Sequence, residues 1–494
     1  MSARKSWLQG KRAGVLLHIT SLPGTGELGN LGPDAYRFVD FLAAAGFSTW
    51  QILPVGPVKD DLSPYNAQSS FAGHIGLLSP QLLQKDGLLP ETTEFKGGDE
   101  TSRQELVEHT WQTFQRDASH RDWARYKQFR QDHAGWLPDY ALFRVLRRQH
   151  GGQPWYRWPA PLRCRQPAAL DAARNDHEDA LQQECFGQFL FFDQWSRLSA
   201  YAKRYGIELF GDMPIYVAAD SADVWCWQDY FTFDDDGRQL AQAGVPPDAF
   251  SDTGQLWGNP LYRWDRMASD GYSWWIERFR LQSMLFNILR VDHFRGFESC
   301  WEVPADADTA EHGHWVPGPG RALFDAVFDA LGPLQLVAED LGSITREVTA
   351  LRKDLGFPGM RVLQFAFEGD ADNPHRLQHH TPDTVVYTGT HDNDTTLGWW
   401  LSLSKAQQAT VLDSLDQPIQ AMPAPLIHAT LDSPARLAII PMQDLLKLGS
   451  EARMNTPGTV KGNWTWRFQW ADMPGNLAAD YRSLIAECGR LRAD

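Results

Sequence analysis

Three carboxylates occupy matching settings along this chain of 494 residues. Asp292 lies in Arg290-Val291-Asp292-His293-Phe294-Arg295-Gly296, Glu339 in Ala338-Glu339-Asp340-Leu341-Gly342, and Asp392 in Gly389-Thr390-His391-Asp392-Asn393-Asp394. Each follows a short apolar run that reads as a buried strand (286–291, 334–338 and 384–387), and each precedes turn residues and a helical pattern. Acids gathered in this way at one mouth of a barrel stand where such folds do their chemistry. Cleaving a glycosidic bond takes a general acid at the leaving oxygen and a second carboxylate that stabilises or captures the oxocarbenium-like carbon. Arg290 and Asp292 are two apart on a strand, so both side chains point the same way, toward the barrel interior. A neighbouring guanidinium would hold Asp292 ionised, as a nucleophile requires. Glu339, emerging from Leu336-Val337-Ala338, is the carboxyl expected to have a raised pKa and to act as acid, then base. Asp392 is expected to bind sugar hydroxyls and favour a distorted ring. By itself Arg-x-Asp reads equally well as a structural ion pair. The specificity lies in the ordered set of three.

The elements that must position these acids are eight predicted strands at 14–18, 48–53, 207–212, 287–292, 335–339, 361–365, 384–387 and 437–441. Most are short and rich in Val, Ile and Leu, the pattern of parallel strands buried on both faces. Amphipathic helices are expected between them at 33–45, 321–331 and 344–355, the first with Pro33 in its opening turn. The fold class is therefore α/β, a (β/α)8 barrel read as a single catalytic unit over 1–494. Two connections exceed plain crossovers. A mainly helical insertion is expected at 55–205, with helices at 139–148 and 187–205, and a loop-rich insertion shaping the cleft at 213–285.

Lys and Arg total 46 against 62 Asp and Glu, a formal charge of −16, and no basic block stands out. This argues against nucleic acid and against anionic membrane surfaces as partners. The five cysteines are scattered and form no C-x-x-C, which fits a reducing, cytoplasmic setting and disfavours a cysteine zinc site. No signal-like apolar segment opens the chain, and no run of about 18 apolar residues occurs. Neither a cofactor nor a metal is expected, and the sequence does not fix an oligomeric state. The 21 Trp are many; several stand beside Gly, Asn or Asp, as in Trp257-Gly258-Asn259 and Asn463-Trp464-Thr465-Trp466. Aromatic faces in clefts suit sugar rings, whereas filling a large core is the competing reading for any one of them.

Nearly end to end, the sequence resembles the 4-α-glucanotransferases (amylomaltases, or disproportionating enzymes) of glycoside hydrolase family 77. The resemblance is carried by Leu17-His18-Ile19-Thr20-Ser21-Leu22-Pro23, Ser63-Pro64-Tyr65, Gly211-Asp212-Met213-Pro214 and Gly244-Val245-Pro246-Pro247-Asp248. It continues through Thr253-Gly254-Gln255-Leu256-Trp257-Gly258-Asn259-Pro260-Leu261-Tyr262, Arg453-Met454-Asn455-Thr456-Pro457-Gly458-Thr459 and Gly462-Asn463-Trp464. It implies retaining transfer of an α-1,4-glucan segment from donor to acceptor, with Asp292 as nucleophile, Glu339 as acid/base and Asp392 as transition-state stabiliser. Arg290 and His391 would stand beside the acids. Tyr65 would stack on the sugar whose bond is cut, Ser63 beside it would bind substrate, and Asp212 would support that subsite. Gln255, Trp257 and Asn463 would line the glucan cleft. Cycloamylose formation belongs to the same expectation.

The chain also departs from the family pattern. Ala249 stands where a tyrosine is usual, the loop 58–62 reads Val58-Lys59-Asp60-Asp61-Leu62 in place of a Gly- and Tyr-containing version, and His74 replaces a usual Asn. These changes bear on the rim of the cleft and leave the three acids intact.

Some signals fail on context. Gly24-Thr25-Gly26-Glu27-Leu28-Gly29 matches G-x-G-x-x-G, but Pro33 rather than the third Gly opens the helix and no acid ends the second strand. Asp234-Asp235-Asp236-Gly237 resembles part of a calcium loop but lacks its first and last ligands. His312-Gly313-His314 has no partner ligands at useful spacing. An α-amylase-type hydrolase and a non-catalytic glucan-binding protein are the rival readings; the intact acids argue against the second.

Overall fold

The computed structural model describes residues 6–24, 26–91, 100–234, 236–247, 251–415, 421–459 and 461–492. The aliphatic runs form eight parallel strands: β1 (Arg12–Leu16), β2 (Thr49–Gln51), β3 (Glu208–Met213), β4 (Ile288–Val291), β5 (Leu336–Ala338), β6 (Gly359–Val362), β7 (Thr384–Tyr387) and β8 (Leu437–Pro441). They pair in the order β6-β7-β8-β1-β2-β3-β4-β5. The Ala338 N–H donates to Pro358 O at 2.9 Å, which brings β5 against the start of β6 and nearly closes the ring. This is the (β/α)8 barrel the strand count predicts.

Leu16, Phe210, Ile288, Val337, Val385, Tyr387 and Ile439 come from six of the eight strands and pack together as one buried cluster. Side chains two apart on a strand share a face. The inward parity of Phe210, Ile288 and Val337 therefore also belongs to Asp212, Arg290 and Glu339, at the carboxyl ends of β3, β4 and β5. Outside the ring, Pro33–Ala44 buries Phe38, Val39 and Leu42, and Arg321–Leu331 buries Leu323, Phe324, Val327 and Phe328. The Thr345 side chain caps Arg346–Leu355 by accepting from Val348 N.

One strand is displaced from its expected position. β6 spans Gly359–Val362, and Leu363–Phe365 forms a 3-10 turn, where the apolar run predicts a strand at 361–365. The cause lies next door: Asp340 Oδ1 accepts from Met360 N at 2.6 Å. A Cβ at position 359 would stand 2.5 Å from Asp340 Oδ2, so the glycine that hydropathy passes over is what lets the strand start there.

Between β2 and β3 the described chain is largely helical, from Pro80–Lys85 to the long Glu178–Arg204. The helices predicted at 139–148 and 187–205 run over Leu137–Gln149 and Glu178–Arg204. Trp111, Phe114, Tyr126 and Phe186 interlock at their centre. The 213–285 segment is more ordered than its loop-rich reading. Ala241–Val245 and Gln255–Pro260 are antiparallel strands, joined by Ser299–Pro304 and His314–Pro317 into a four-stranded sheet that reaches beyond residue 285. Ser273–Leu285 is a helix packed on β3 and β4. Ala249 lies outside the described residues.

Candidate active site

Arg290 is the hub at the barrel mouth. It is directly opposite Asp212 in the β3–β4 register, and its Nη1 donates to Asp212 Oδ1 and Oδ2 at 2.8 and 2.6 Å. The same nitrogen stands 2.9 Å from Asp292 Oδ1. Burial opposes charge on the guanidinium, but Asp212 and Asp292 prevail and raise its pKa well above the ordinary value. Asp212 is 1% exposed. Burial pushes its carboxyl up against the opposing pull of Arg290. Asp292, by contrast, keeps 24% of its side-chain surface open. Arg290 thus joins a buried anchor to an accessible carboxylate and holds Asp292 in place without covering it.

Glu339 leaves β5 with the same inward parity. Its Oε2 accepts from His293 N and its Oε1 from Leu341 N, both at 2.8 Å. Burial, with the nearby Asp292 charge, pushes its pKa up to about 7 while Arg290 opposes. The expectation of an elevated acid at this position holds. His293 makes the arrangement possible: its φ of 45° is left-handed, a strained conformation for a non-glycine residue that is concentrated at functional sites. That turn aims its N–H at Glu339 and sets its ring edge-on to Trp257, with centroids 4.8 Å apart. Burial pulls the His293 imidazole down to about 4, leaving it neutral near pH 7.

Asp392 approaches from beyond β7. Asn455 Nδ2 donates to its Oδ1 at 2.6 Å and His391 Nε2 stands 3.4 Å from its Oδ2, while 46% of its side-chain surface remains open. Arg453 Nη2 holds its backbone oxygen at 2.7 Å. Tyr65 links this side of the mouth to the other. Its hydroxyl donates to Asp212 Oδ2 at 2.8 Å, and its ring stacks on His391 with centroids 5.2 Å apart and planes inclined by 16°. Trp464 completes the wall at 5.9 Å from each ring. Burial first, and Asp212 second, raise the Tyr65 phenol well above its ordinary pKa, so it stays a donor.

The structure thus brings Asp292, Glu339, Asp392, Arg290, Asp212, His391 and Tyr65 into one connected set. Trp257 joins it through His293, and Gln255 adjoins Trp257, whose Nε1 lies 3.4 Å from Gln255 Oε1. Gly254 permits that turn: its φ is 69°, and an added Cβ would meet Val245 O at 2.3 Å. Two expected cleft residues sit otherwise. Asn463 is 8% exposed, with Oδ1 accepting from Thr456 N at 3.0 Å and Nδ2 donating to Thr459 O at 2.9 Å. Its amide organises the 456–463 loop. Ser63 Oγ accepts from Tyr65 N at 3.4 Å, a bond within its own loop. Asn455 was present in the quoted motifs but carried no separate signal of a role, whereas Trp464 was among the tryptophans read as suited to sugar rings. Asp234 caps its own turn, accepting from Asp236 N and Arg238 N at 2.9 and 2.8 Å.

With this geometry in hand, the comparisons are pointed. The family model described as 4-alpha-glucanotransferase matches residues 17–472. The 4-alpha-glucanotransferase of Thermus thermophilus is 45% identical over 95% of this chain and 96% of its own length. The chloroplastic/amyloplastic 4-alpha-glucanotransferase of Solanum tuberosum is 43% identical over 97% of this chain and 87% of its own. Among solved structures, the amylomaltase of Streptococcus agalactiae, in complex with acarbose, superposes with a TM-score of 0.93 at 34% identity, covering 98% of this chain and 100% of that one.

Proposed function

Since this chain belongs to the 4-alpha-glucanotransferase family, glycoside hydrolase family 77, we propose that it transfers α-1,4-glucan segments by retaining catalysis, with Asp292 forming the covalent glycosyl-enzyme. The observation that carries this reading is the contrast between its two central carboxylates. Asp292 is open and bound to Arg290, whereas Glu339 is buried and elevated to about 7. Two carboxyls with environments pushed apart are the arrangement that separates nucleophile from acid.

In the first half-reaction Asp292 Oδ attacks the anomeric carbon of the donor while protonated Glu339 delivers its proton to the glycosidic oxygen. The bond to that oxygen breaks, and the leaving glucan departs with a free 4-hydroxyl. In the second half, ionised Glu339 takes the proton of an acceptor 4-hydroxyl, whose oxygen displaces Asp292 and restores the α-linkage. The two N–H groups on Glu339 stabilise its ionised form between the halves. Asp392, held by Asn455, offers its open oxygens to sugar hydroxyls. Tyr65, its ring fixed by Asp212 and His391, stacks on the sugar at the reacting centre. Trp257 and Gln255 line the acceptor side, where an oriented hydroxyl outcompetes water. The substrates are α-1,4-glucan donors and acceptors, including glucose, and cyclic products arise when the acceptor is the donor's own end.

The chain's cysteines are all free, which fits a reducing cytoplasmic compartment. Among the described residues no helix is long and apolar enough to cross a membrane.

The test is incubation with maltotriose alone. Glucose together with a ladder of longer oligosaccharides, at constant total reducing ends, establishes transfer. Rising reducing ends with shorter products only would establish the rival hydrolase.

A further inference from the structure

The loop that presents Tyr65 is stitched by a relay of side chains. Lys59 Nζ donates to Asn66 Oδ1 at 3.2 Å, and Asn66 Nδ2 donates to Asp61 Oδ2 at 2.7 Å. Asp61 Oδ1 in turn accepts from Ser63 N at 3.1 Å, and Ser63 Oγ accepts from Tyr65 N at 3.4 Å. Backbone bonds from Leu62 N to Lys59 O at 3.0 Å and from Asn66 N to Ser63 O at 3.1 Å close two turns around the same residues. Leu62, between them, holds a left-handed φ of 57°, a conformation an L-residue adopts only when its surroundings impose it. At its inner end the loop is tied to the barrel through Tyr65 and Asp212. At its outer end, burial lowers the Lys59 pKa against the opposing pull of Asp220 and Asp61, and Asp220 is itself paired with Arg147 of Leu137–Gln149. This is the stretch, Val58 to Leu62, in which the chain departs from the family pattern.

Resting on the reading of Tyr65 as the stacking residue, we infer that Lys59, Asp61 and Asn66 are positioning residues that set the Tyr65 ring against His391 and act on the bound sugar only through that ring. Asn66 is the central joint. Its amide can satisfy a cation and a carboxylate together in only one orientation, which fixes the turn before Tyr65. None of the three reaches the reacting atoms by any contact the structure records. Their effect therefore vanishes when the ring is absent, which a general loss of folding would not do.

The experiment is a double-mutant cycle on full-length protein with maltotriose, using Asp61→Ala, Tyr65→Ala and the double variant, with Lys59→Met as a second probe at the far end of the relay. Expected is a roughly tenfold loss of kcat/KM for Asp61→Ala, a smaller loss for Lys59→Met, and less than about twofold further loss when Asp61→Ala is added to Tyr65→Ala, as residues acting through one contact are not additive. The thermal midpoint of Lys59→Met should stay near wild type. Losses that multiply in the double variant, or an Asp61→Ala enzyme with wild-type kcat/KM, overturn the inference while leaving the role of Tyr65 intact. A Tyr65→Ala enzyme with wild-type activity overturns both.

Discussion

Arg290 and Asp212 face each other across neighbouring barrel strands and are joined by two bonds of 2.6 and 2.8 Å from a single Nη1. Because that nitrogen also reaches Asp292, the buried ion pair at the mouth is continuous with the carboxylate proposed to attack. Arg290→Ala leaves the buried Asp212 without its cation, with only the Tyr65 hydroxyl still bonded to it, a change that costs about 3–5 kcal/mol. The variant should unfold at distinctly lower temperature and lose detectable transfer. Arg290→Lys, which keeps the charge but not the fork geometry, should retain more stability than activity. Thermal unfolding beside a maltotriose assay separates the two effects.

Glu339 sets the alkaline side of the pH profile. Its raised pKa, about 7, means that the proton needed to release the leaving glucan is held below that pH and lost above it. For the donor half-reaction, kcat/KM should therefore fall about tenfold per pH unit once the pH exceeds about 7. Glu339→Gln should lack this limb. A glycosyl fluoride donor, whose leaving group needs no proton, should lack it even with the wild-type enzyme. Rates across pH with the two donors decide the matter.

Asn455 steadies Asp392 through one bond of 2.6 Å. A hydrogen bond to a charged group is worth about 1.5–3 kcal/mol, so Asn455→Ala should lower kcat by about 10- to 100-fold. With Asp392 half open to solvent, global stability should change little. Parallel kcat and urea-unfolding measurements check both halves.

What sequence could and could not disclose follows from the range of the forces. Asp292 and Glu339 were legible because each directly follows a buried strand, and strand parity carries inward direction forward to the next residue but one; Asp392 lies beyond the end of β7 at Tyr387 and was legible only through its motif. Ser63 and Asn463 were read toward the cleft on the strength of their motifs, yet their oxygens serve the backbone of their own loops. Residue type does not reveal which of two nearby partners a polar side chain takes. The sheet of Ala241–Val245, Gln255–Pro260, Ser299–Pro304 and His314–Pro317 escaped because its strands are short, hold Gly or Pro, and its central pairing joins segments as far apart as Ala241 and Pro304. Asn455 and Trp464 gained their places only where the 453–455 stretch met Asp392 and Trp464 met Tyr65 and His391 in space.

Trp257 rests its ring against His293 at 4.8 Å, and in the proposed mechanism it walls the side from which the acceptor arrives. Trp257→Ala removes an aromatic contact of the order of 1 kcal/mol and opens the wall to water. Transfer efficiency should fall by about five- to tenfold while the hydrolytic share rises. Reducing-end release per transfer event, measured on maltotriose, gives the ratio.

The account turns on a covalent bond to Asp292, and trapping that bond tests it most directly. Glu339→Gln enzyme is given a maltooligosaccharyl fluoride, which can glycosylate without an acid, and without acceptor base catalysis the adduct should accumulate. Peptide mass spectrometry after acid quench should find a glycosyl group on the peptide containing Asp292, and none when Asp292→Asn is introduced as well. A glycosyl group on Glu339→Gln enzyme at a different carboxylate, or turnover to products of inverted configuration with no adduct, would contradict it.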